Sequence, residues 1–384
     1  MKKILFVIPS FTIGGTVVST KNLITLLNEK GYDITLLSLN KKGEMAHLYD
    51  DIKQIELPIW GSSMFLNSWK EYNNIIQKIT ALFIRTLCRI NIIKKMFMSA
   101  VCRSVTATKH YDVVIACQEG ITTEFVSYSK VANKIAWVRC DYSRYMNIVN
   151  KDELSIYKNF SNVVCVSDTT CESFRNIYPM LKERVHAINN PQSKEYVITQ
   201  SKVNDKDSRF NTDKFTIVSV GRFDPVKRFE KIPAIASFLL KNNIDFRWYI
   251  IGGGSELVAH KLEANIKEEH VEDSVICLGV KKNPLFYIEN ADLLVTLSSS
   301  EACPRVINEA KILHTPVVCT DFSTAAEYIE NGKDGIINTI EGIKYSILDI
   351  IKNKSTYNNI KIEISKFEFD NSVLLTSIEG LING

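Results

Sequence analysis

The sequence predicts an α/β protein made of two doubly wound domains, each with a parallel sheet. Three observations point there. Short apolar runs alternate with longer amphipathic stretches, the alternation is interrupted once near residue 200, and 384 residues are too many for one ordinary domain. A hydrophobic share of 45% supplies apolar side chains enough for two cores.

Taken in order, Met1-Lys2-Lys3 runs straight into Ile4-Leu5-Phe6-Val7-Ile8-Pro9. That run is too short for a signal peptide and lacks a small-residue cleavage site, so it reads as a buried strand of a cytoplasmic protein. Further strands are expected at 34–39, 113–117, 135–138, 163–166 and 185–188, mostly apolar runs of the kind found in parallel sheets covered on both faces. Asn189-Asn190-Pro191 stops the pattern, and the polar stretch Ser193–Lys214 reads as a linker or exposed loop. Strands resume at 215–220, 248–251, 275–278, 293–297, 316–319 and 335–337, and the tail from about Phe367 to Gly384 reads as helical. The expected division is 1–195, 196–365, and a last helix over 366–384 that crosses back to the first domain.

Several function classes drop out. The nine cysteines are scattered without a CxxC pair, which predicts reduced core thiols and no structural zinc. A net charge of +4 is too mild to indicate nucleic acid. Phe11-Thr12-Ile13-Gly14-Gly15 after the first strand is not GxGxxG, and the glycine run Gly252-Gly253-Gly254 lacks the third glycine of that fingerprint. No GxxxxGK[ST] loop is present either, so a dinucleotide oxidoreductase is not expected.

The chemistry concentrates in two places. In Ser298-Ser299-Ser300-Glu301-Ala302-Cys303-Pro304-Arg305-Val306-Ile307-Asn308-Glu309-Ala310 a strand ends and a helix opens, with Pro304 expected at the first helical position. Such a helix start offers unpaired amides and a positive dipole end, a ready site for diphosphate. Glu301 precedes the helix and Glu309 lies within it, two acceptors suited to sugar and ribose hydroxyls. The second place is Ser219-Val220-Gly221-Arg222-Phe223-Asp224-Pro225-Val226-Lys227, where a strand meets a glycine turn and two cations. Arg222 can fork onto phosphate oxygens and Lys227 brings a compact charge. Solvated surface acids and bases are the plain alternative for each place taken alone.

Together these segments resemble glycosyltransferase family 4, the retaining family with the GT-B fold of two Rossmann-like domains facing a cleft. Glu301 and Glu309 stand at the family's spacing of two acids, and Gly221, Arg222 and Lys227 match its Gly-Arg turn and lysine. Gly14-Gly15, Val164–Ser167, Val185–Pro191, Ile250–Gly254 and Cys277–Val280 supply further landmarks in the family's order. The resemblance implies that Glu301 contacts the donor sugar, that the Ala302–Val306 amides (with Cys303, Pro304 and Arg305 between) hold sugar and diphosphate, and that Glu309 binds ribose. It implies that Arg222 and Lys227 meet the departing nucleoside diphosphate, that Gly14 and Gly15 let backbone approach the phosphate, and that the backbone at Val280 receives the base. Catalytic weight then falls on Glu301, Arg222 and Lys227. It also implies a UDP- or GDP-type sugar donor, a glycan or lipid-linked glycan acceptor, surface polysaccharide or glycolipid synthesis, and no cofactor or metal.

The sequence departs from the pattern on the acceptor side. Arg139 stands where members often carry a histidine, and a guanidinium is no general base, although it can hold an anion. Asp141 is the nearby polar substitute, and the plain alternative pairs Arg139 with Asp141. Ala302 replaces a usual glycine, and Cys303 a usual aromatic. Two other functions stay open: a nucleotide-sugar epimerase on the same fold, and a non-catalytic nucleotide-sugar-binding partner subunit.

One stretch is not explained by donor chemistry. Between Glu71 and Asp112 no acid occurs, while Lys78, Arg85, Arg89, Lys94, Lys95, Arg103 and Lys109 do. Helical spacing gathers Ile76, Ile79, Phe83, Leu87, Ile90, Phe97 and Val101 beside four of those bases, and the charges forbid a membrane span. Residues 75–103 are expected to lie on an anionic membrane surface, making the protein peripheral on the inner face of the cell membrane. The other reading packs the stripe on the domain.

Overall fold

A computed structural model describes residues 1–12, 14–65, 74–107 and 110–384. Glu71 and Lys109 lie outside the described residues. The chain divides into two compact units, 1–191 with 371–384, and 192–370. The boundaries therefore fall a few residues from 195 and 365.

Among its described residues the first unit holds seven strands: β1 (Lys3–Ile8), β2 (Asp33–Ser38), β3 (Gln54–Ile55), β4 (Val113–Ala116), β5 (Asn133–Val138), β6 (Asn162–Cys165) and β7 (Val185–Ala187). All pair in parallel in the order β3-β2-β1-β4-β5-β6-β7. Ile4 to Ile8 and Val113 to Ala116 are wholly buried, which is why their sequence shows no alternation. The two-residue β3 has no comparable run and was not anticipated. The last helix, Ser372–Asn383, buries Leu374, Ile378 and Ile382 at helical spacing. Lys2 Nζ and Asn133 Nδ2 each donate to its final carbonyls, of Ile382 and Leu381, at 2.8 Å. The helix starts later than Phe367, because Phe367 and Phe369 pack against the core of the second unit instead.

The second unit repeats the plan with β8 (Phe215–Val220), β9 (Phe246–Ile251), β10 (Val275–Gly279), β11 (Leu293–Thr296), β12 (Val317–Thr320) and β13 (Ile336–Asn338), ordered β10-β9-β8-β11-β12-β13. Successive residues serve opposite faces. Ile217, Trp248 and Leu293 join one core with the helices Ile232–Lys241 and Glu256–Glu268, while Val218, Tyr249 and Leu294 join the other with Arg305–Ile312.

The stretch Ser193–Lys214 is not a plain linker. Lys194–Ser201 forms a helix capped by the Ser193 side chain, which accepts from the Tyr196 amide at 3.1 Å. Val197 and Phe210 are buried against Tyr249 and Tyr287. Burying a phenylalanine is worth about 2–3 kcal/mol, enough for two apolar anchors to hold down a polar segment.

Candidate functional site

Both sheets reverse their strand order at one point, between β1 and β4 in the first and between β8 and β11 in the second. In open α/β sheets the crevice outside the strands' carboxyl ends at such a point is where ligands bind. The segments Gly221–Lys227 and Ser298–Glu309 follow β8 and β11, so the topology places both at the reversal of the second sheet.

There the structure joins them. The Ser299 amide donates to the Val226 carbonyl at 2.8 Å, tying loop to loop. Lys227 Nζ forms an ion pair with Glu301 Oε1, and Ser298 Oγ donates to the same oxygen at 2.7 Å. Both ends of the ion pair are largely buried. The loop is braced from the neighbouring strand β12 and the turn after it: Thr320 Oγ1 donates to the Ser298 carbonyl at 2.5 Å and Thr324 Oγ1 to the Glu301 carbonyl at 2.9 Å. A carboxylate held this way has little rotamer freedom left to lose when a ligand arrives.

Arg222 and Glu309 are engaged separately. Arg222 Nη2 donates to Asp224 Oδ2 at 3.1 Å and is exposed. The other Asp224 oxygen caps the turn Pro225–Lys227 by accepting from the Val226 amide at 3.1 Å. Glu309 accepts from Arg305 Nη2 at 2.8 Å, one helical turn away. Pro304 is the residue before the helix Arg305–Ile312, with ψ 83°, not its first helical residue. Ala302 and Pro304 are buried and Cys303 and Val306 are half-buried.

Glycine geometry sets the floor. Gly252, at φ +148°, lies against Gly221, where an added Cβ would meet the carbonyl oxygen at 1.8 Å. Beyond β10, Val280 is exposed beside a group that local reading had passed over. Asp207 bridges Arg209 and Lys281, and Arg209 Nη1 donates to the Cys277 carbonyl at 3.0 Å. Hydrogen bonds from Arg209 and Lys281 hold the Asp207 carboxyl well below the usual carboxylate range.

In the first unit Gly14 caps the helix Gly15–Glu29 in an extended conformation, and a Cβ there would meet nothing within 4 Å among the described residues. Arg139 follows β5 and braces three segments. Nε donates to the Cys117 carbonyl at 2.7 Å, Nη1 to Ser19 Oγ at 2.7 Å and to Asn190 Oδ1, and Nη2 to Thr20 Oγ1 at 3.4 Å. Its guanidinium also lies 4.9 Å from the Trp137 ring centroid. Asp141 caps the helix Tyr142–Val149, accepting from the Arg144 amide at 3.3 Å. Arg139→Lys, which keeps the charge but loses the fork, is expected to lower stability by about 2–3 kcal/mol. Denaturant unfolding checks this, and a loss under about 0.5 kcal/mol, as for an ordinary surface change, would show that the brace carries no weight.

Several contributors left little trace in the chain. Ser298 sits inside the motif and Asn190 inside the landmark Val185–Pro191, whereas Thr320, Thr324 and Asp207 come from distant segments and have no local signature. Among the described residues no group of three His, Cys, Asp or Glu could hold a metal ion.

Residues 200–367 match the family described as glycosyl transferases group 1. That match takes in nearly all of the second unit, 192–370. A poly(ribitol-phosphate) alpha-N-acetylglucosaminyltransferase of Staphylococcus aureus is 26% identical over 156 residues, 40% of this chain and 31% of that protein. The match thus spans about a third of that relative's length. The amylovoran biosynthesis glycosyltransferase AmsD of Erwinia amylovora is 24% identical over 349 residues, covering 88% of this chain and 86% of its own. Among solved structures, the Anabaena protein HepE in complex with UDP and glucose superposes with a TM-score of 0.77 at 15% identity, covering 100% of both chains. The fold is GT-B.

Proposed function

We propose that this protein is a retaining glycosyltransferase of family 4 that moves a sugar from a UDP- or GDP-type donor to a glycan or lipid-linked glycan. The observation that supports it most is the Lys227–Glu301 ion pair at the strand-order reversal of a group 1 glycosyl transferase domain. Isolated surface charges would not converge there from segments 74 residues apart.

Positive charge develops on the sugar as its bond to the diphosphate breaks, and negative charge gathers on the leaving group. Glu301 engages its protein partners through Oε1, and Oε2 accepts from the sugar hydroxyls. When the diphosphate arrives, Lys227 and Arg222 turn their positive charge toward it and act without a metal. Amides at the start of the helix Arg305–Ile312 add donors for phosphate and sugar. Glu309 exchanges Arg305 for ribose hydroxyls, and the base lies at Val280. HepE, solved with UDP and glucose, favours a UDP-type donor. The names of the S. aureus and E. amylovora relatives favour a surface-polymer acceptor.

The test is a thermal-shift panel of UDP- and GDP-sugars. A ligand at a hundredfold excess over its dissociation constant stabilises the folded state by about 2.7 kcal/mol, a shift of about 5–10 °C for domains of this size. The matching sugar should give that shift in the wild type and little in Lys227→Ala. No shift with any donor would end the reading.

A further inference from the structure

The basic stretch forms two helices, Ile75–Leu87 and Asn91–Ala107, instead of one continuous stripe. The first presents its more apolar face outward. At about 100° per residue, Ile75, Ile76, Ile79, Leu82 and Phe83 fall within an arc of about 120°, and the buried Ala81 and Ile84 lie opposite. Ile76 is 69% exposed, and Ile79 and Phe83 are each 63% exposed. Ile90, Ile92 and Met96 extend the exposed apolar surface past the break, while Met98, Val101, Cys102 and Val105 seat the second helix on the core. The stripe read from sequence is therefore divided: Ile76, Ile79, Phe83 and Ile90 face out, Leu87 and Phe97 are half-buried, and Val101 is buried.

An apolar face of this extent on a soluble surface calls for a partner. Lys78 and Arg85 flank it on one side, Arg89 follows it, and Lys95 and Arg103 are exposed on the next helix. Lys94 approaches Glu124 at 3.9 Å. No acid lies between Glu71 and Asp112. A second copy docking face to face would set base against base. The complement is an apolar layer bordered by negative charge.

We propose that the helix Ile75–Leu87 inserts Ile75, Ile76, Ile79, Leu82 and Phe83 into the headgroup boundary of an anionic bilayer, with Lys78 and Arg89 on its phosphates. The surface attaches the protein to the membrane without spanning it; no helix among the described residues is long and apolar enough to cross. The inference is independent of sugar transfer.

The experiment is sedimentation of the full chain with vesicles of phosphatidylcholine alone or mixed with phosphatidylglycerol, at low and high salt. The protein should pellet with the mixed vesicles at low salt and remain in solution with phosphatidylcholine. Ile79→Ser with Phe83→Ser should abolish pelleting. Lys78→Glu with Arg89→Glu should weaken it about 25-fold or more, at about fivefold for each base lost. All four side chains lie at the surface or half-buried, so unfolding midpoints and nucleotide-sugar binding should stay those of the wild type. Three outcomes would overturn the proposal: wild type left in solution with anionic vesicles, variants that pellet as wild type does, or a dimer that Phe83→Ser disperses.

Discussion

Glu301→Gln is expected to lower kcat for sugar transfer by about 10²–10³-fold while the unfolding midpoint stays close to wild type. Glutamine keeps the shape of the side chain and can still accept from Ser298 and Lys227, so the loop between β11 and the helix Arg305–Ile312 keeps its braces. On the proposed mechanism it removes the negative charge that faces the developing positive charge on the sugar. An interaction made mainly in the transition state is lost in kcat more than in KM. Lys227→Ala should produce a comparable loss by a different route, since it strips charge from the leaving-group side and leaves Glu301 partly buried without its cation. Because the two residues touch, the double variant should be no worse than about the poorer single one. Release of nucleoside diphosphate under saturating donor and acceptor measures all three. Wild-type kcat in both single variants would remove Glu301 and Lys227 from the chemistry.

Gly252→Ala should cost the second domain about 4 kcal/mol or more and in practice prevent its folding. The backbone at φ +148° is open to glycine alone, and the new Cβ would fall 1.8 Å from the Gly221 carbonyl oxygen. That oxygen belongs to the turn carrying Arg222, so relieving the clash moves the site as well. Gly279→Ala is the control: it also has positive φ, at +75°, but its Cβ meets nothing within 4 Å, and it should cost only about 1–2 kcal/mol. Circular dichroism melts of the two variants separate backbone strain from collision. Similar melts for both would refute the close-packing argument.

Element by element, what could be read from the chain followed burial. Twelve strands were legible because parallel strands covered on both faces must be written as largely apolar runs, unbroken in Ile4–Ile8 and interrupted only by Thr216 and Ser219 in Phe215–Val220. The strand Gln54–Ile55 is too short to carry such a run. The helix Lys194–Ser201 was hidden because only Val197 and Ser201 of its eight residues are buried, which gives the sequence almost no periodicity. The pair of acids and the Gly-Arg turn were visible as motifs, but not the state of their charges.

From order alone the chain determined two α/β domains, the loops that carry Glu301 and Lys227, and a basic apolar stretch with no acids, since each is a local pattern of residue types. Folding decided what those patterns do. It set Lys227 on Glu301 across 74 residues, turned the Arg139 fork inward onto Cys117, Ser19, Thr20 and Asn190, and chose which face of Ile75–Leu87 meets solvent. Ion pairs, braces and exposed faces depend on distances between segments, and distance along a chain does not specify distance in space.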